Sequence, residues 1–421
     1  MEDYDYLIVG AGLAGLHSAL RLARMYPKAR IAIAEAYNYT GGRVVSYHSK
    51  QHNVHVENGA GRVHNSHVMT LGYIDKYNLK TFPISPEQDW LDSKTKEKES
   101  KKNIWPTLSF MLHSLLSSLR PAELASHTVY ELLHKIVGEP AAMRILNRFP
   151  YRAEMFVMRA DLALESIANE MGSTEDFFVV KDGLSAMIQG MVSELEGMDV
   201  DFFYNHRCFK VEDRKAWFEI DSKPKQTSIS ARKIILALHN SAMKKISPFA
   251  HMPLLKKVIM CPLFRIYAKF PVKDGVSWFS PLHHIVTDSP LRYIIPINPM
   301  EGVIMISYTD AQDTQVWSKI LNEKGEVPLK NAIMKEVRRL FPETKIPDPT
   351  FFKPFLWDVG CSYWAPGMYD PKELSRKAHH PLPELLPNVY LCGESYSMKQ
   401  CWMEGALEHA DQLITRYFSN N

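Results

Sequence analysis

Residues 6–43 read YLIVGAGLAGLHSALRLARMYPKARIAIAEAYNYTGGR, and this stretch decides the fold. The apolar run 6–9 is typical of a buried strand, and Gly10, Gly12 and Gly15 follow it in G-x-G-x-x-G spacing. An amphipathic helix and a second apolar run lead to Glu35. Glycines at this spacing allow a tight turn and a close approach to a pyrophosphate, and the acid can bind a ribose. The pattern predicts a βαβ unit that binds a dinucleotide at the helix N-terminus.

The loop after Glu35 narrows the choice of dinucleotide. Gly41 and Gly42 let the backbone wrap closely round a ligand, and the guanidinium of Arg43 offers a fork of donors to phosphate. The alternative is a surface turn followed by a solvated arginine. The sequence EAYNYTGGR resembles the continuation of the FAD fingerprint in the flavin amine oxidase family, which includes monoamine oxidases, polyamine oxidases and L-amino-acid oxidases. This resemblance implies that the cofactor is FAD.

Composition limits the remaining classes of function. The chain has 421 residues, of which 46% are hydrophobic, so it can bury a large core. A net charge of +3 is too small to indicate nucleic acid as a partner. Five scattered cysteines without C-x-x-C argue against a disulfide framework and against zinc, and the histidines match no metal-ligand motif. We therefore expect no metal site.

The sequence also indicates the cellular location of the protein. No apolar run approaches the roughly 20 residues needed to span a bilayer, and no signal peptide precedes the first strand. We therefore expect a cytoplasmic protein without integral membrane association, and the sequence leaves a homodimer open. The stretch 94–102, KTKEKESKK, mixes both charges and predicts a solvated loop.

The resemblance to the family continues in two later segments. Residues 176–245 resemble its second cofactor segment, where a helix precedes a strand whose valine, here Val211, lies near the adenine. Asp182 stands where the family usually has a glycine. Residues 385–421 resemble the terminal signature, in which Gly393-Glu394 and then Trp402 lead into a helix and Glu394 binds near the ribityl chain. The predicted fold class is therefore α/β, with a discontinuous Rossmann-like FAD-binding domain (1–80, 176–245 and 385–421) and a mixed-sheet, helix-flanked substrate-binding domain (81–175 and 246–384).

The resemblance implies a set of FAD-contacting residues drawn from all three segments. They are Gly10, Gly12, Leu13, Ala14, Gly15, Glu35, Ala36, Gly42, Arg43, Gly59, Ala60, Gly61, Arg62, Val211, Gly393, Glu394, Cys401, Trp402, Met403 and Ala406.

Arg62 is the residue that indicates the substrate. It ends the segment Gly59-Ala60-Gly61-Arg62, which resembles the place where L-amino-acid oxidases carry the arginine that holds a substrate carboxylate. A guanidinium can pair with a carboxylate through two parallel hydrogen bonds, which gives both affinity and orientation. The alternative is a loop arginine that is ion-paired to a neighbouring carboxylate.

Arg265 is the main departure from the family. The segment FRIYAKFPV around it resembles a strand that carries a lysine near the flavin, and here arginine takes that place. Unlike a lysine, it stays charged when buried. A register shift would instead make Lys269 the family lysine, and a strand-edge arginine that faces solvent is a further alternative.

The predicted aromatic wall lies near the end of the chain. Tyr363, Trp364 and Trp402 are candidates for the cage that orients an amine, although a single aromatic residue is more often part of a core. Cys361 lies where monoamine oxidases attach their flavin, and an unmodified buried cysteine is the alternative.

Together these residues favour an FAD-dependent oxidase of a small-molecule amine, specifically an L-amino acid, with oxygen as the acceptor and hydrogen peroxide as a product. A monoamine or polyamine oxidase is the second hypothesis. A flavin desaturase or mutase, or a non-catalytic flavoprotein, is the third, because fold-level likeness does not choose among chemistries.

Overall fold

A computed structural model describes residues 3–101, 105–171, 176–220 and 223–419. The strands are β1 (Tyr4–Val9), β2 (Ile31–Ala34), β3 (Ser46–Ser49), β4 (Val54–Glu57), β5 (Val63–His64), β6 (Thr81–Pro83), β7 (Gln88–Leu91), β8 (Lys98–Lys101), β9 (Phe177–Val180), β10 (Asp201–Phe203), β11 (His206–Glu212), β12 (Lys215–Ile220), β13 (Lys223–Leu236), β14 (Val258–Lys269), β15 (His284–Thr287), β16 (Tyr293–Asn298), β17 (Val303–Asp310), β18 (Phe351–Trp364) and β19 (Val389–Leu391). The α-helices are α1 (Leu13–Met25), α2 (Val68–Lys76), α3 (Trp105–Leu116), α4 (Pro121–Ser126), α5 (Val129–Val137), α6 (Glu139–Leu146), α7 (Ala153–Phe156), α8 (Ala160–Ser166), α9 (Ser185–Glu196), α10 (Asn240–Met243), α11 (Thr314–Lys324), α12 (Glu326–Leu340), α13 (Pro371–Ala378) and α14 (Met403–Tyr417).

The first large sheet is assembled from three distant parts of the chain. Its order is β10-β2-β1-β13-β12-β11, and β19 also pairs with β13. β10, β2, β1, β13 and β19 run parallel, whereas β11, β12 and the first part of β13 are antiparallel. The apolar runs 7–9, 31–34, 234–236 and 389–391 of the parallel strands are buried on both faces, as a sheet covered by helices requires. A parallel order with β1 at its centre is typical of dinucleotide-binding sheets.

The turn between β1 and α1 explains the glycine spacing. α1 begins at Leu13, directly after this turn, and packs against α9 and α14. A Cβ atom on Gly15 would lie 1.9 Å from the carbonyl oxygen of Gly10, so only glycine allows the helix to approach the turn this closely. Gly10 itself has φ +106°, a conformation that other residues rarely adopt.

The second large sheet has the order β18-β14-β17-β16-β15-β7-β8. Its neighbours are antiparallel except for the parallel pair β15 and β7. The apolar side chains of α11 and α12 cover one face, and helices α3 to α8 share a core cluster with strands of the first sheet. The predicted mixed-sheet, helix-flanked architecture is confirmed, while the domain bounds stay a prediction.

The stretch 94–102 differs from its prediction. We expected a solvated loop, but Lys98–Lys101 forms β8, the last strand of the second sheet, and pairs with β7. Charged side chains are typical of edge strands, where they discourage pairing with another chain. Residue 102 lies outside the described residues.

Two further features of the described ranges concern membranes and metals. No helix there combines the length and the apolar character needed to cross a membrane. The same residues contain no group of three or more His, Cys, Asp or Glu side chains arranged to hold a metal ion.

Candidate active site

A cavity of about 1530 Å³ is lined by residues of both large sheets. It extends from the glycine turn after β1 to side chains of β14, β16 and β17. The predicted FAD-contacting residues that line it are Gly10, Gly12, Leu13, Ala14, Glu35, Ala36, Gly42, Arg43, Gly59, Ala60, Gly61, Arg62, Gly393, Glu394, Cys401, Trp402, Met403 and Ala406. These residues come from the first and third sequence segments, and the second segment contributes unpredicted residues such as Cys208, Leu238 and His239.

Two predicted contact residues lie elsewhere. Gly15 is packed beneath the glycine turn. Val211 is 2% exposed and belongs to the core, where its N–H donates to the carbonyl oxygen of Ser247 at 2.9 Å. Cys208, three residues earlier in the same strand, lines the cavity instead.

The glycine turn and Glu35 fit a dinucleotide. The N-terminus of α1 carries no side-chain cap, and a Cβ atom on Gly12 would have no neighbour closer than 4.0 Å, so a ligand can approach these N–H groups. The Glu35 carboxylate accepts hydrogen bonds from the backbone N–H groups of Ala11 at 2.7 Å and Tyr37 at 3.0 Å. Burial raises the pKa of Glu35, and these bonds oppose the shift. They also hold the carboxylate at the edge of the cavity.

Arg43 connects the glycine loop to the end of the chain. Its guanidinium donates to the carbonyl oxygen of Gly360 at 2.8 Å and to Glu394 at 2.7 Å. Arg43 is therefore not the solvated arginine of the alternative interpretation. The Glu394 carboxylate also accepts from the backbone N–H of Cys401 at 2.5 Å and from the hydroxyl of Ser362 at 2.9 Å. Glu394 is thus held by the protein itself, although it lines the cavity.

Arg62 lies among aromatic rings in the cavity. The guanidinium carbon is 4.2 Å from the ring centre of Phe177, 5.1 Å from that of Tyr151 and 5.4 Å from that of Trp402. Within the described residues, no carboxylate lies within the 4.0 Å limit for an ion pair with it. The alternative of an ion-paired loop arginine is therefore not what the structure contains. A half-buried cation held by ring faces is suited to receive an anion.

Glu154 is a buried carboxylate in the same cavity. It is 6% exposed, and its Oε1 accepts a hydrogen bond from the hydroxyl of Tyr363 at 3.2 Å. Its Oε2 is buried and has no hydrogen-bond partner among the described residues. Burial raises the pKa of Glu154, while the bond from Tyr363 and the charge of Arg62 act in the opposite direction. The residue is therefore sensitive to any ligand that neutralises Arg62.

Arg265 lies beneath the Gly59–Arg62 segment. Strand alternation places Leu263, Arg265 and Tyr267 on the cavity side of β14. The Arg265 guanidinium donates to the carbonyl oxygen of Glu57 at 3.2 Å, and a Cβ atom on Gly61 would lie 2.8 Å from its Nη1. The glycine at position 61 thus makes room for the arginine.

Lys269 does not take the place of the family lysine. It lies at the end of β14, donates to the carbonyl oxygens of His52 at 2.9 Å and Asn53 at 3.1 Å, and does not itself line the cavity. Arg265 is therefore the cation at this place, and it faces the cavity rather than solvent.

Two members of the predicted aromatic cage lie behind the wall. Trp364 is fully buried, and its indole N–H donates to the carbonyl oxygen of Ser397 at 3.0 Å. Tyr363 is 3% exposed and supports Glu154 instead of lining the cavity. Trp402 does line it, with its ring stacked on Phe177 at 5.9 Å. Of the three predicted cage residues, only Trp402 lines the cavity, and its role in a cage stays a prediction.

The remaining walls come from residues that the sequence analysis missed. They are Tyr151, Glu154, His284, Tyr293, Met305 and Tyr308. Burial and the charge of Arg62 lower the pKa of His284 to about 4, so this imidazole is neutral at pH 7. Tyr293 and Tyr308 belong to apolar strands whose alternation gave a partial signal, whereas Tyr151 and Glu154 lie in a helical region without one.

A disulfide bond joins Cys361 and Cys401, with their Cα atoms 4.9 Å apart. Both residues line the cavity. The odd number and wide spacing of the cysteines gave no indication of this bond, which forms because β18 and the loop before α14 meet only in the folded chain. While the bond is closed, the Cys361 thiol is not available for a covalent link to flavin.

The fold and the cavity define a dinucleotide-binding oxidoreductase of the flavin class. Residues 13–412 match the family model of flavin containing amine oxidoreductases, and the chain belongs to that family. It is accordingly an enzyme, an amine oxidoreductase, and its cofactor is FAD. The glycine turn, Glu35 and the uncapped N-terminus of α1 fit this cofactor.

Similar proteins share the fold across nearly the whole chain. Protein R188 of Acanthamoeba polyphaga mimivirus, which is uncharacterized, is 22% identical over 99% of this chain and 94% of its own length. YobN of Bacillus subtilis (strain 168), provisionally named an L-amino-acid oxidase, is 23% identical over 96% of this chain and 92% of its own length. The structure of cyclohexylamine oxidase from Brevibacterium oxydans IH-35A has a TM-score of 0.75 at 14% identity and covers 98% of both chains.

Proposed function

We propose that this enzyme oxidises an L-amino acid to its imine, which water converts to a keto acid and ammonia, and that oxygen takes the electrons to give hydrogen peroxide. The observation that carries the proposal is Arg62, an arginine in the cavity without an ion-pair partner in the described chain. The similarity to YobN agrees with it. We also propose that the enzyme is cytoplasmic and that it forms a homodimer.

Arg62 would bind the substrate carboxylate. Phe177, Tyr151 and Trp402 contact the guanidinium from its sides. A carboxylate that enters the cavity can accept two parallel hydrogen bonds from the guanidinium, which fixes the position of the α-carbon. The glycine turn and Glu35 would hold FAD, which would supply the capacity to accept a hydride equivalent from that carbon.

Glu154 would accept the proton that the substrate ammonium must lose. Burial raises the pKa of Glu154, and without substrate the positive charge of Arg62 opposes part of that rise. A bound carboxylate cancels that charge, so the pKa of Glu154 rises when the substrate is in place. The unpartnered Oε2 then becomes a better proton acceptor at the moment when it is needed, and Tyr363 keeps Oε1 in position.

Arg265 would supply a fixed positive charge below the Gly59–Arg62 segment. Its bond to the carbonyl oxygen of Glu57 and the space at Gly61 define its position. Because a guanidinium stays protonated, it would stabilise negative charge on a ring that lies against this segment at any working pH. It would not exchange protons in the way that a lysine can.

One observation favours a second candidate, an oxidase of amines without a carboxylate. The buried carboxylate of Glu154 could pair directly with an ammonium group, and aromatic rings attract such a cation. Cyclohexylamine oxidase has the same fold, which by itself does not choose a substrate.

The test is anaerobic reduction of the bound flavin, followed by its absorbance. Each L-amino acid is compared with its D-enantiomer and with the amine that results from loss of its carboxyl group. Fast bleaching by L-amino acids alone is the expected result. Bleaching by the decarboxylated amines at equal rates would overturn the choice of substrate in favour of the second candidate. Bleaching by none of them would indicate a desaturase, a mutase or a non-catalytic flavoprotein.

A further inference from the structure

The cavity lining includes a disulfide bond for which amine oxidation has no use. Cys361 and Cys401 are half-buried, line the same cavity as the glycine turn and Trp402, and are joined by a disulfide bond. A disulfide bond that only links two segments for stability would not need to line a cofactor cavity. We propose that Cys361 and Cys401 form a redox-active pair that exchanges two electrons with the flavin.

Both cysteines are positioned by the network that holds the cofactor loop. β18 bulges just before Cys361, and a Cβ atom on Gly360 would lie 2.6 Å from that of Leu263, so only glycine permits this path. The carbonyl oxygen of Gly360 accepts from Arg43, and the backbone N–H of Cys401 donates to Glu394. Arg43 also pairs with Glu394. A single ion pair thus fixes the backbone on both sides of the disulfide bond.

The surroundings distinguish this pair from the third nearby thiol. Cys261 lies directly opposite Cys361 in the β14–β18 ladder, yet it is 4% exposed and does not line the cavity. The hydroxyl of Tyr363, which donates to Glu154, lies 3.5 Å from the sulfur of Cys401 and can turn its single proton to that sulfur instead. Such a donor would stabilise negative charge on that sulfur when the bond opens.

The exchange balances as a two-electron couple. The S–S bond breaks, each sulfur gains one electron and one proton, and the reduced flavin that supplies them returns to its oxidised form. The reverse reaction closes the bond and reduces the flavin. The holoenzyme then stores four electrons, two on the flavin and two on the sulfurs. This inference rests on the flavin of the family and not on the choice of amine.

The first experiment runs the exchange backwards, so that no amine is needed. Anaerobic dithiothreitol is added to the holoenzyme while the flavin absorbance is recorded. Bleaching is expected in the wild-type protein and in the control Cys261→Ser. It should be lost in Cys361→Ser and in Cys401→Ser, which keep a single sulfur each. A flavin that stays oxidised although mass spectrometry finds the Cys361–Cys401 bond open would overturn the proposal.

The second experiment uses the wild-type protein only, so it does not depend on how the variants fold. The flavin is fully reduced with dithionite, and free thiols are then alkylated and located by mass spectrometry. New labels at positions 361 and 401 are expected, with four electrons consumed per flavin. Full reduction of the flavin with the bond intact would refute the exchange. Reduction by L-amino acids can be compared separately, and its failure alone would count against the proposed substrate and not against the sulfur pair.

Discussion

Replacing Arg62 by methionine separates recognition of the carboxylate from oxidation of the amine. Methionine fills a similar space among the rings of Phe177, Tyr151 and Trp402 but offers no donor. Two charge-assisted hydrogen bonds from a half-buried guanidinium contribute roughly 1.5–2 kcal/mol each. Their loss should cost about 3–4 kcal/mol and lower kcat/KM for an L-amino acid about 10²–10³-fold.

The same substitution should affect an amine without a carboxylate much less. Only contacts with the rings and the cavity shape change for that substrate, so we expect a loss of less than about fivefold. Steady-state kinetics on a matched pair, an L-amino acid and its decarboxylated amine, give the ratio directly. Lys257→Met is the control, because Lys257 also lies over an aromatic ring, 5.1 Å from Tyr369, but outside the cavity. An equal loss for both substrates in Arg62→Met would refute the role of Arg62 as the carboxylate anchor.

Three further predictions follow from buried groups. Glu154→Gln should lower kcat/KM about 10²-fold at neutral pH and remove the acid limb that Glu154 gives to the pH–rate profile, since an amide cannot accept the proton; an unchanged profile would exclude Glu154 as the acceptor. Gly15→Ala should abolish FAD retention, measured as the flavin-to-protein absorbance ratio, because its Cβ atom would lie 1.9 Å from the Gly10 carbonyl oxygen; full retention would contradict the packing described. Burial raises the pKa of Glu57 from 4.5 to about 7, so the contribution of Glu57 to stability falls as the pH rises from 4.5 to 7. Glu57→Gln should therefore raise Tm over that of the wild type more above pH 7 than below pH 4.5. A difference in Tm that does not depend on pH would contradict this pKa shift.

The sequence predicted the parts of the site that depend on backbone chemistry. The glycine turn, Glu35 and the GGR loop are local motifs, in which residue type and spacing determine the conformation. They were placed correctly relative to the strands and helices. Arg62 and Arg265 were also located in the cavity, because each lies in a segment with clear neighbours on both sides.

The walls of the cavity were less predictable because bulges shift the phase of the strands. The ladder between β14 and β17 skips Ile306, so Met305 and Tyr308 both face the cavity although simple alternation would separate them. The pairing of strands in the folded chain determines where such bulges occur, and a single sequence does not indicate their positions.

The disulfide was missed for a related reason. Cys361 and Cys401 are 40 residues apart, and nothing in their spacing relates them. They meet because the loop before α14 returns to β18. Contacts of this kind follow from the path of the chain between the two sheets.

The three-part origin of the first sheet also bears on how the chain matures. Leu7 pairs with Ile234, and Ile234 pairs in turn with Val389, so the sheet joins residues from both ends of the polypeptide. Synthesis from the ribosome delivers the N-terminal βαβ unit long before its last partner strand exists. Large loops must close before these pairings stabilise the sheet, which slows folding and exposes unpaired strand edges. The nascent enzyme therefore depends on β19 to become resistant to aggregation and proteolysis, and shortened chains that end before β19 should be recovered as insoluble protein.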